Sequence, residues 1–83
     1  MFYIYLIKNE TGEKYIGYTT NIEERLKKHN EGMNTSTKGH QWEIVYYEAY
    51  KNEHDARRRE KSIKASGKGR QLLYERLKDS LES

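Results

Sequence analysis

One apolar run, Phe2 to Ile7, constrains the fold more than any other feature of this chain. Its residues are aromatic, β-branched or leucine, and aromatic and β-branched side chains favour β-strands. Successive side chains of a strand point to opposite faces, so this segment carries apolar groups on both faces. It therefore predicts a central strand that is covered on each side. The run is far shorter than the roughly 18 residues that span a membrane.

Length and composition narrow the kinds of protein that this chain can be. Its 83 residues are the size of one small domain, which we expect to occupy residues 1–83. The sequence has no Cys, which excludes disulfides, a thiolate nucleophile and a Cys-type zinc site. His29, His40 and His54 lack close metal-ligand spacing. No basic segment or small-residue cleavage site precedes the apolar run, which predicts a soluble, cytoplasmic protein with no membrane partner.

Turn residues divide the first part of the chain into a hairpin. Two predicted strands, Phe2–Lys8 and Lys14–Thr19, flank the turn formers of Asn9–Gly12. With the turn centred near residue 11, Tyr5 lies opposite Gly17. A glycine inside a strand marks a close approach to the backbone, here by a phosphate or by the opposite tyrosine. The side chains that share one face of this hairpin are those of Tyr3, Tyr5 and Tyr15, together with the Gly17 position.

The segment 21–30 predicts a helix that opens with Asn21 in a capping-box-like position. Arg25 and His29 lie one turn apart on one face of this helix, beside its apolar stripe. A guanidinium there can bind two phosphate oxygens, and an imidazole can donate, accept or orient a neighbour. An ordinary pair of surface side chains is the alternative interpretation.

The rest of the pattern completes the element order ββαβαα. A third strand is predicted at Trp42–Tyr50, with Ile44 and Tyr46 on one face. A helix is predicted from residue 52 or 53 through about residue 66. A last helix is predicted over Gln71–Leu81, where leucines recur every four residues.

The helix after the third strand is strongly basic. Residues Arg57–Arg70 contain seven Lys or Arg and one acid, Glu60, so that the segment carries +6 in a chain of net charge +3. Such a patch suits a polyanion, and a solvated helix face is the alternative. Glu60 lies one turn from both Ala56 and Ile63, so it faces inward with them. A carboxylate on a buried stripe is usually paired or bound to a metal.

Taken together, these residues resemble the GIY-YIG nuclease superfamily. The resemblance rests on Tyr3-Ile4-Tyr5, on Tyr15-Ile16-Gly17 ten residues on, and on Arg25, His29 and Glu60. It is strongest to small stand-alone, single-domain members, which are similar to the amino-terminal nuclease domain of an excision-repair endonuclease. The resemblance implies an α+β fold with a three-stranded antiparallel sheet flanked by helices. It also implies Mg²⁺-dependent endonuclease cleavage of DNA phosphodiester bonds, in DNA repair or recombination.

The resemblance also implies a role for each matching residue. Tyr5 and Tyr15 line the site, where one of them acts as general base or orients the attacking water. Arg25 stabilises the charged phosphate, and His29 assists the tyrosine or the substrate. Glu60 binds Mg²⁺ or Mn²⁺, weakly because it is a single carboxylate. The expected substrate contacts are Tyr3, Gly17, Arg58, Lys61 and Lys64.

Three positions depart from the family pattern. Tyr3 stands where the first motif usually has Gly, Leu72 occupies the region of an expected Asn, and Tyr18 that of an expected Lys. Two alternatives to a nuclease therefore stay open. One is a catalytically weak or inactive nucleic-acid-binding module with Tyr or Trp42 stacked on bases. The other is a protein-interaction domain. For the nuclease we expect DNA as partner and a monomer or weak dimer.

Overall fold

Three strands and four helices make up the part of the chain that the computed structural model describes, residues 1–82. Ser83, the last residue of the predicted domain, lies outside the described residues. The strands are β1 (Phe2–Asn9), β2 (Lys14–Thr19) and β3 (Trp42–Tyr50), and the helices are α1 (Ile22–Asn30), α2 (Glu53–Lys64), α3 (Gly67–Arg76) and α4 (Lys78–Glu82). The predicted α+β fold class is confirmed. None of these helices is long and apolar enough to cross a membrane.

The sheet has the order β2-β1-β3 and is antiparallel throughout. The prediction that Phe2–Ile7 forms the central strand is therefore confirmed. Tyr5 pairs with Gly17, and Ile7 pairs with Tyr15, as the hairpin spacing predicts. This register places β2 at an edge of the sheet, with its odd-numbered residues on the same face as Tyr5.

Both faces of β1 are buried, each in its own apolar cluster. Ile4 and Leu6 pack with Ile16 and with the buried residues of α2 and α3. On the opposite face, Tyr5 and Ile7 pack with Trp42, against which Leu26 of α1 and other half-buried side chains lie. The sheet thus separates α1 from α2 and α3.

The start of α1 follows the predicted capping pattern. Asn21 has an extended backbone, and its side-chain oxygen accepts a hydrogen bond from the Glu24 amide at 3.1 Å. This satisfies one of the free amide donors of the first helical turn. Gly32, just beyond the helix, has a φ of 76°, which glycine adopts without steric cost. The cap and the glycine fix both ends of the helix that carries Arg25 and His29.

The prediction that Ile44 and Tyr46 share a face of β3 is wrong. A register shift in the β1–β3 pairing lies between Leu6 and Ile7, so Leu6 pairs with Tyr46 and Ile7 with Ile44. Ile44 packs beside Tyr5 and Ile7, whereas Tyr46 packs on the opposite face with Val45. The physical reason is a β-bulge, which inserts an extra residue and interrupts the alternation of side chains.

The helical end of the chain also differs from the predicted boundaries. α2 ends at Lys64, and α3 begins at Gly67 rather than Gln71, because the Ser66 hydroxyl caps it by accepting from the Gly69 amide at 3.3 Å. The predicted last helix is divided at Leu77 into α3 and α4, which changes the order to ββαβααα. The expected apolar stripe is confirmed, since Leu73 and Leu77 are buried and Leu81 packs against them.

Candidate functional site

An open cleft of about 450 Å³ runs along the edge strand β2. Tyr15, Gly17, Tyr18 and Thr19 of β2 line it, together with Thr20, Arg25 of α1, and Arg57 and Glu60 of α2. Helices from both sides of the sheet therefore meet at this edge. Four of the predicted site residues share the cleft, namely Tyr15, Gly17, Arg25 and Glu60.

Tyr5 and His29 lie directly behind this cleft and are buried. The Tyr5 hydroxyl is 2.8 Å from His29 Nε2. The ring centroid of Tyr15 is 5.0 Å from that of His29 and 6.4 Å from that of Tyr5. The structure thus brings Tyr5, Tyr15, Arg25 and His29 together, but of these only Tyr15 and Arg25 line the cleft.

Gly17 makes room for the Tyr5 ring. A Cβ atom on Gly17 would overlap the hydroxyl end of Tyr5 and would lie 2.5 Å from its Cζ atom. Real Cβ atoms essentially never come so close to another heavy atom, so a side chain here would displace the ring. The sequence left two groups open for the close contact with the Gly17 backbone, a phosphate or the opposite tyrosine. The structure shows the tyrosine.

The Arg25 guanidinium lies close to the hydroxyls of both Tyr5 and Tyr15. Hydrogen bonding to the Tyr5 hydroxyl raises the pKa of Arg25 above its ordinary value, although burial opposes this, and the Tyr15 hydroxyl adds to the effect. Arg25 Nε is buried and has no hydrogen-bond partner among the described residues. The guanidinium is therefore charged, and its buried Nε is left without a hydrogen-bond acceptor within residues 1–82.

Burial keeps both inner groups neutral. It raises the pKa of Tyr5 to about 12, against the lowering effect of the Arg25 hydrogen bond. Burial also lowers the pKa of His29 below its ordinary value, and the positive charge of Arg25 lowers it further. At neutral pH, Tyr5 is thus a phenol and His29 an uncharged imidazole.

Glu60 lies at the cleft, with a side chain that is 20% exposed. Its Oε2 atom accepts a hydrogen bond from Lys64 Nζ at 3.1 Å, and Lys64 Nζ lies 5.8 Å from the Tyr15 ring centroid. Glu60 and Arg25 both line the cleft, and the ion pair of Glu60 is with Lys64.

The donor set at this cleft contains one carboxylate. Among residues 1–82, no three His, Cys, Asp or Glu side chains cluster as a metal-binding group. Mg²⁺ typically keeps several waters and binds through one or two carboxylates together with substrate phosphates. A single carboxylate that shares a cleft with a guanidinium fits Mg²⁺ held jointly by protein and substrate.

The basic stretch of α2 does not form one continuous surface. Arg58 and Lys61 lie on its exposed side with Arg57. Arg59 turns to the sheet instead and binds Glu48 through Nε at 2.9 Å and Nη2 at 3.0 Å. The predicted patch therefore lacks Arg59, which the partially buried Glu48 draws inward.

Tyr3 and Trp42 lie outside the cleft. Tyr3 packs against Tyr47 at a centroid distance of 6.0 Å, in a neighbouring groove that meets the cleft at Thr20. Trp42 is only 7% exposed, and its indole N–H donates to the Thr37 carbonyl at 2.8 Å. The alternative with Trp42 stacked on bases is therefore wrong, because the ring is part of the core.

Sequence reasoning did not name four of the cleft residues as site residues, namely Tyr18, Thr19, Thr20 and Arg57. The Arg57 guanidinium stacks 3.9 Å from the Tyr18 ring centroid, and the Tyr18 hydroxyl donates to Glu53 at 2.9 Å. Arg57 precedes Glu60 by three residues, so helical spacing alone could have placed both on one face. For Tyr18 no comparable signal exists, since its partners lie on another element.

Comparison with known proteins gives matches over most of the chain. Residues 1–72 match the family described as "GIY-YIG catalytic domain". A UPF0213 protein of Clostridium perfringens is 35% identical over 74 residues, which cover 87% of this chain and 80% of the relative. A UPF0213 protein of Staphylococcus haemolyticus is 36% identical over 72 residues, which cover 84% of this chain and 88% of the relative. No solved structure matches the chain.

Proposed function

Because this chain belongs to the GIY-YIG family, we propose that it is a metal-dependent endonuclease that hydrolyses phosphodiester bonds of DNA. The observation that carries this proposal is the cleft along β2, where a phenol, a guanidinium and a carboxylate meet from three different elements. Phosphodiester hydrolysis requires an oriented water, a cation for the phosphoryl oxygens and a metal ligand. Tyr15, Arg25 and Glu60 supply these three kinds of group.

Arg25 binds the scissile phosphate in this proposal. Its charge and its place in the lining of the cleft suit it to neutralise the negative charge that develops on the phosphoryl oxygens. The Tyr5 and Tyr15 hydroxyls lie close enough to the guanidinium to influence its pKa, so they would orient it before substrate arrives. Such preorganisation avoids the cost of reorienting the cation during the reaction.

The two tyrosines take different roles because their exposure differs. Tyr15 lines the cleft, so its hydroxyl orients the attacking water. Tyr5 is 2% exposed and has a pKa of about 12, so it stays protonated and acts by positioning Arg25. His29 holds the Tyr5 hydroxyl from the opposite side.

Glu60 is the residue that would hold the metal, either Mg²⁺ or Mn²⁺. When bound, the metal supplies positive charge to the phosphoryl and leaving oxygens. Lys64 binds only Oε2 of Glu60, so Oε1 is the oxygen that would reach the metal, and the Lys64 ammonium would lie close to a bound phosphate. Arg57, Arg58 and Lys61 extend the positive surface from the cleft along α2, where they would bind the flanking DNA backbone.

A catalytically silent nucleic-acid-binding module is the second candidate. The ion pair between Lys64 and Glu60 favours it, because Glu60, the only carboxylate among the described residues that line the cleft, is already neutralised by a neighbouring cation. In that case the basic surface of α2 binds phosphates and no bond is broken. A role in DNA repair or recombination, a cytoplasmic location and a monomeric or weakly dimeric state stay predictions of the sequence.

Nicking of supercoiled plasmid DNA by the pure protein tests the proposal. We expect cleavage that requires Mg²⁺ or Mn²⁺, and losses of about 100-fold or more in Arg25→Ala and Glu60→Gln. Glu75→Gln is the matched control, since this exposed α3 carboxylate lies outside the cleft and bonds only to Gln71 among the described contacts.

Two outcomes would count against the nuclease. Unaltered cleavage by Glu60→Gln would exclude the metal role of this residue. Salt-sensitive binding without any metal-dependent nicking would instead select the binding module.

A further inference from the structure

His29 is fully buried, and each of its ring nitrogens has one partner. Nε2 lies 2.8 Å from the Tyr5 hydroxyl, and Nδ1 lies 2.7 Å from the Thr37 hydroxyl. A neutral imidazole has one donor nitrogen and one acceptor nitrogen. One ring nitrogen of His29 must therefore donate to its partner while the other accepts from its partner. The tautomer of His29 decides which nitrogen donates.

The Thr37 end of this chain of hydrogen bonds indicates the direction. A threonine hydroxyl has a single hydrogen to donate, and the Thr37 hydroxyl lies 3.3 Å from the Asn34 carbonyl, which can only accept. If Thr37 donates to Asn34, its oxygen accepts from His29. Nδ1 of His29 then carries the proton.

The Tyr5 end indicates the same direction independently. The Arg25 guanidinium carries its positive charge close to the Tyr5 hydroxyl, and a guanidinium can donate hydrogen bonds but not accept them. The hydrogen of Tyr5 is therefore directed away from Arg25, and His29 Nε2 is the acceptor on that side. An unprotonated Nε2 again requires the proton on Nδ1.

Thr37 is itself held firmly in place. It is 0% exposed, its carbonyl accepts from the Trp42 indole at 2.8 Å, and its amide donates to the Asn34 carbonyl at 3.1 Å. The polar loop between α1 and β3 is thus bound to the core at the residue that contacts His29.

We propose that Thr37 is a positioning residue of the candidate site, which holds His29 as the Nδ1–H tautomer so that the chain of donors runs from Tyr5 through His29 to Thr37 and the Tyr5 oxygen faces the charge of Arg25. In the opposite tautomer, Nε2–H would donate to Tyr5, and the Tyr5 hydrogen would face the Arg25 donors. That repulsion would move the guanidinium away from its position in the cleft. Thr37 thus acts on the cleft through two buried side chains, from a loop outside the two sequence motifs.

Nitrogen-15 NMR of the His29 ring measures the tautomer directly, without substrate. We expect the Nδ1–H form in the wild type and in Thr37→Ser, which keeps the hydroxyl. In Thr37→Val, which removes the hydroxyl at nearly constant shape, we expect the Nε2–H form to become populated. Thr35→Val is the matched control on the exposed part of the same loop and should leave the ring unchanged.

The cleavage assay gives a second readout, which rests on the proposed nuclease function. We expect Thr37→Val to lower kcat by about 10-fold or more, as loss of an orienting partner of a functional histidine does in metal sites, with KM little changed and rescue in Thr37→Ser. If the wild-type protein never cleaves DNA, the proposed nuclease function is wrong. The NMR result would still decide whether Thr37 sets the tautomer of His29.

Two NMR results would overturn the inference. One is an Nε2–H tautomer in the wild type, a measurement that does not depend on whether any variant folds. The other is a folded Thr37→Val protein whose His29 tautomer is unchanged.

Discussion

The contact between Gly17 and Tyr5 sets the geometry of the candidate site at the scale of single residues. Tyr5 can reach both Arg25 and His29 because its ring crosses the bare backbone of Gly17 on the neighbouring strand. Glycine in a strand interior normally weakens the strand. At this position the glycine makes room for the buried Tyr5 phenol, whose hydrogen bond to His29 links the hairpin to α1.

Substitution of Gly17 by Ala tests this contact. The added methyl group would overlap the Tyr5 ring, so we expect a loss of about 1–3 kcal/mol in the free energy of unfolding, as for other overpacked core sites. Gly67→Ala is the matched control, because nothing lies within 4 Å of a Cβ atom there and its expected change is below about 1 kcal/mol. Urea unfolding of both variants measures the difference, and equal stabilities would show that Tyr5 moves aside freely.

At the scale of elements, an ion pair joins β3 to α2. Glu48 accepts three hydrogen bonds from Arg59 and one each from the hydroxyls of Tyr46 and Tyr50. Its side chain is 14% exposed, so the carboxylate depends on these donors for its solvation. The pair fixes the rotation of α2 about its axis, and this rotation also places Arg57 and Glu60 at the cleft.

The pH dependence of stability tests the Glu48 pair. Burial alone raises the pKa of the Glu48 carboxyl, but the hydrogen bonds from Arg59, Tyr46 and Tyr50 outweigh it and hold the pKa below its ordinary value. A carboxyl whose pKa is lower in the folded state stabilises the protein at pH values above its pKa in the unfolded state, which is about 4.3. This contribution is lost as the pH falls through the folded pKa.

We therefore expect Glu48→Gln to lower the free energy of unfolding by about 1–2 kcal/mol at pH 7, because Arg59 keeps its charge without its partner. The difference from wild type should shrink as the pH falls well below about 4. Urea unfolding at pH 7 and pH 3 measures both values, with Glu75→Gln as the exposed control. A difference that stays constant with pH would contradict the ionic role of Glu48.

At the scale of the whole molecule, positive charge lies beside the cleft on one flank. Arg57 lines both the cleft and the exposed side of α2, where Arg58 and Lys61 follow. The helix α1 packs on the other face of the sheet. A polyanion bound at Arg25 could thus continue to Arg57, Arg58 and Lys61 along α2, past the carboxylates of Glu53 and Glu60.

The salt dependence of DNA binding tests this continuity. Neutralising two phosphate contacts in Arg58→Gln/Lys61→Gln should weaken duplex binding and reduce the slope of log K against log salt by about two. Lys27→Gln/Lys38→Gln removes the same charge from α1 and the loop that follows it, and should leave the slope nearer that of the wild type. Fluorescence anisotropy over a salt series gives the slopes. Equal behaviour of the two double variants would show that α2 presents only a solvated face.

Local sequence patterns were sufficient for the features that depend on one element or one hairpin. The apolar run of β1 predicts a strand buried on both faces, and the turn position predicts that Tyr5 faces Gly17. Asn21 predicts the start of α1, and helical spacing predicts a shared face for Arg25 and His29. These predictions succeed because the periods of strand and helix determine which way each side chain points.

Contacts between distant elements could be decided only by the tertiary structure. The bulge that moves Tyr46 away from the face of Ile44 arises from the pairing of β3 with β1, and the withdrawal of Arg59 from the basic surface depends on Glu48. Thr37 stands in a polar loop without any periodic pattern, and it contacts His29 only because Trp42 binds that loop to the core. The physical reason is that such partners are selected by the burial and hydrogen bonding of the assembled chain, which no local period encodes.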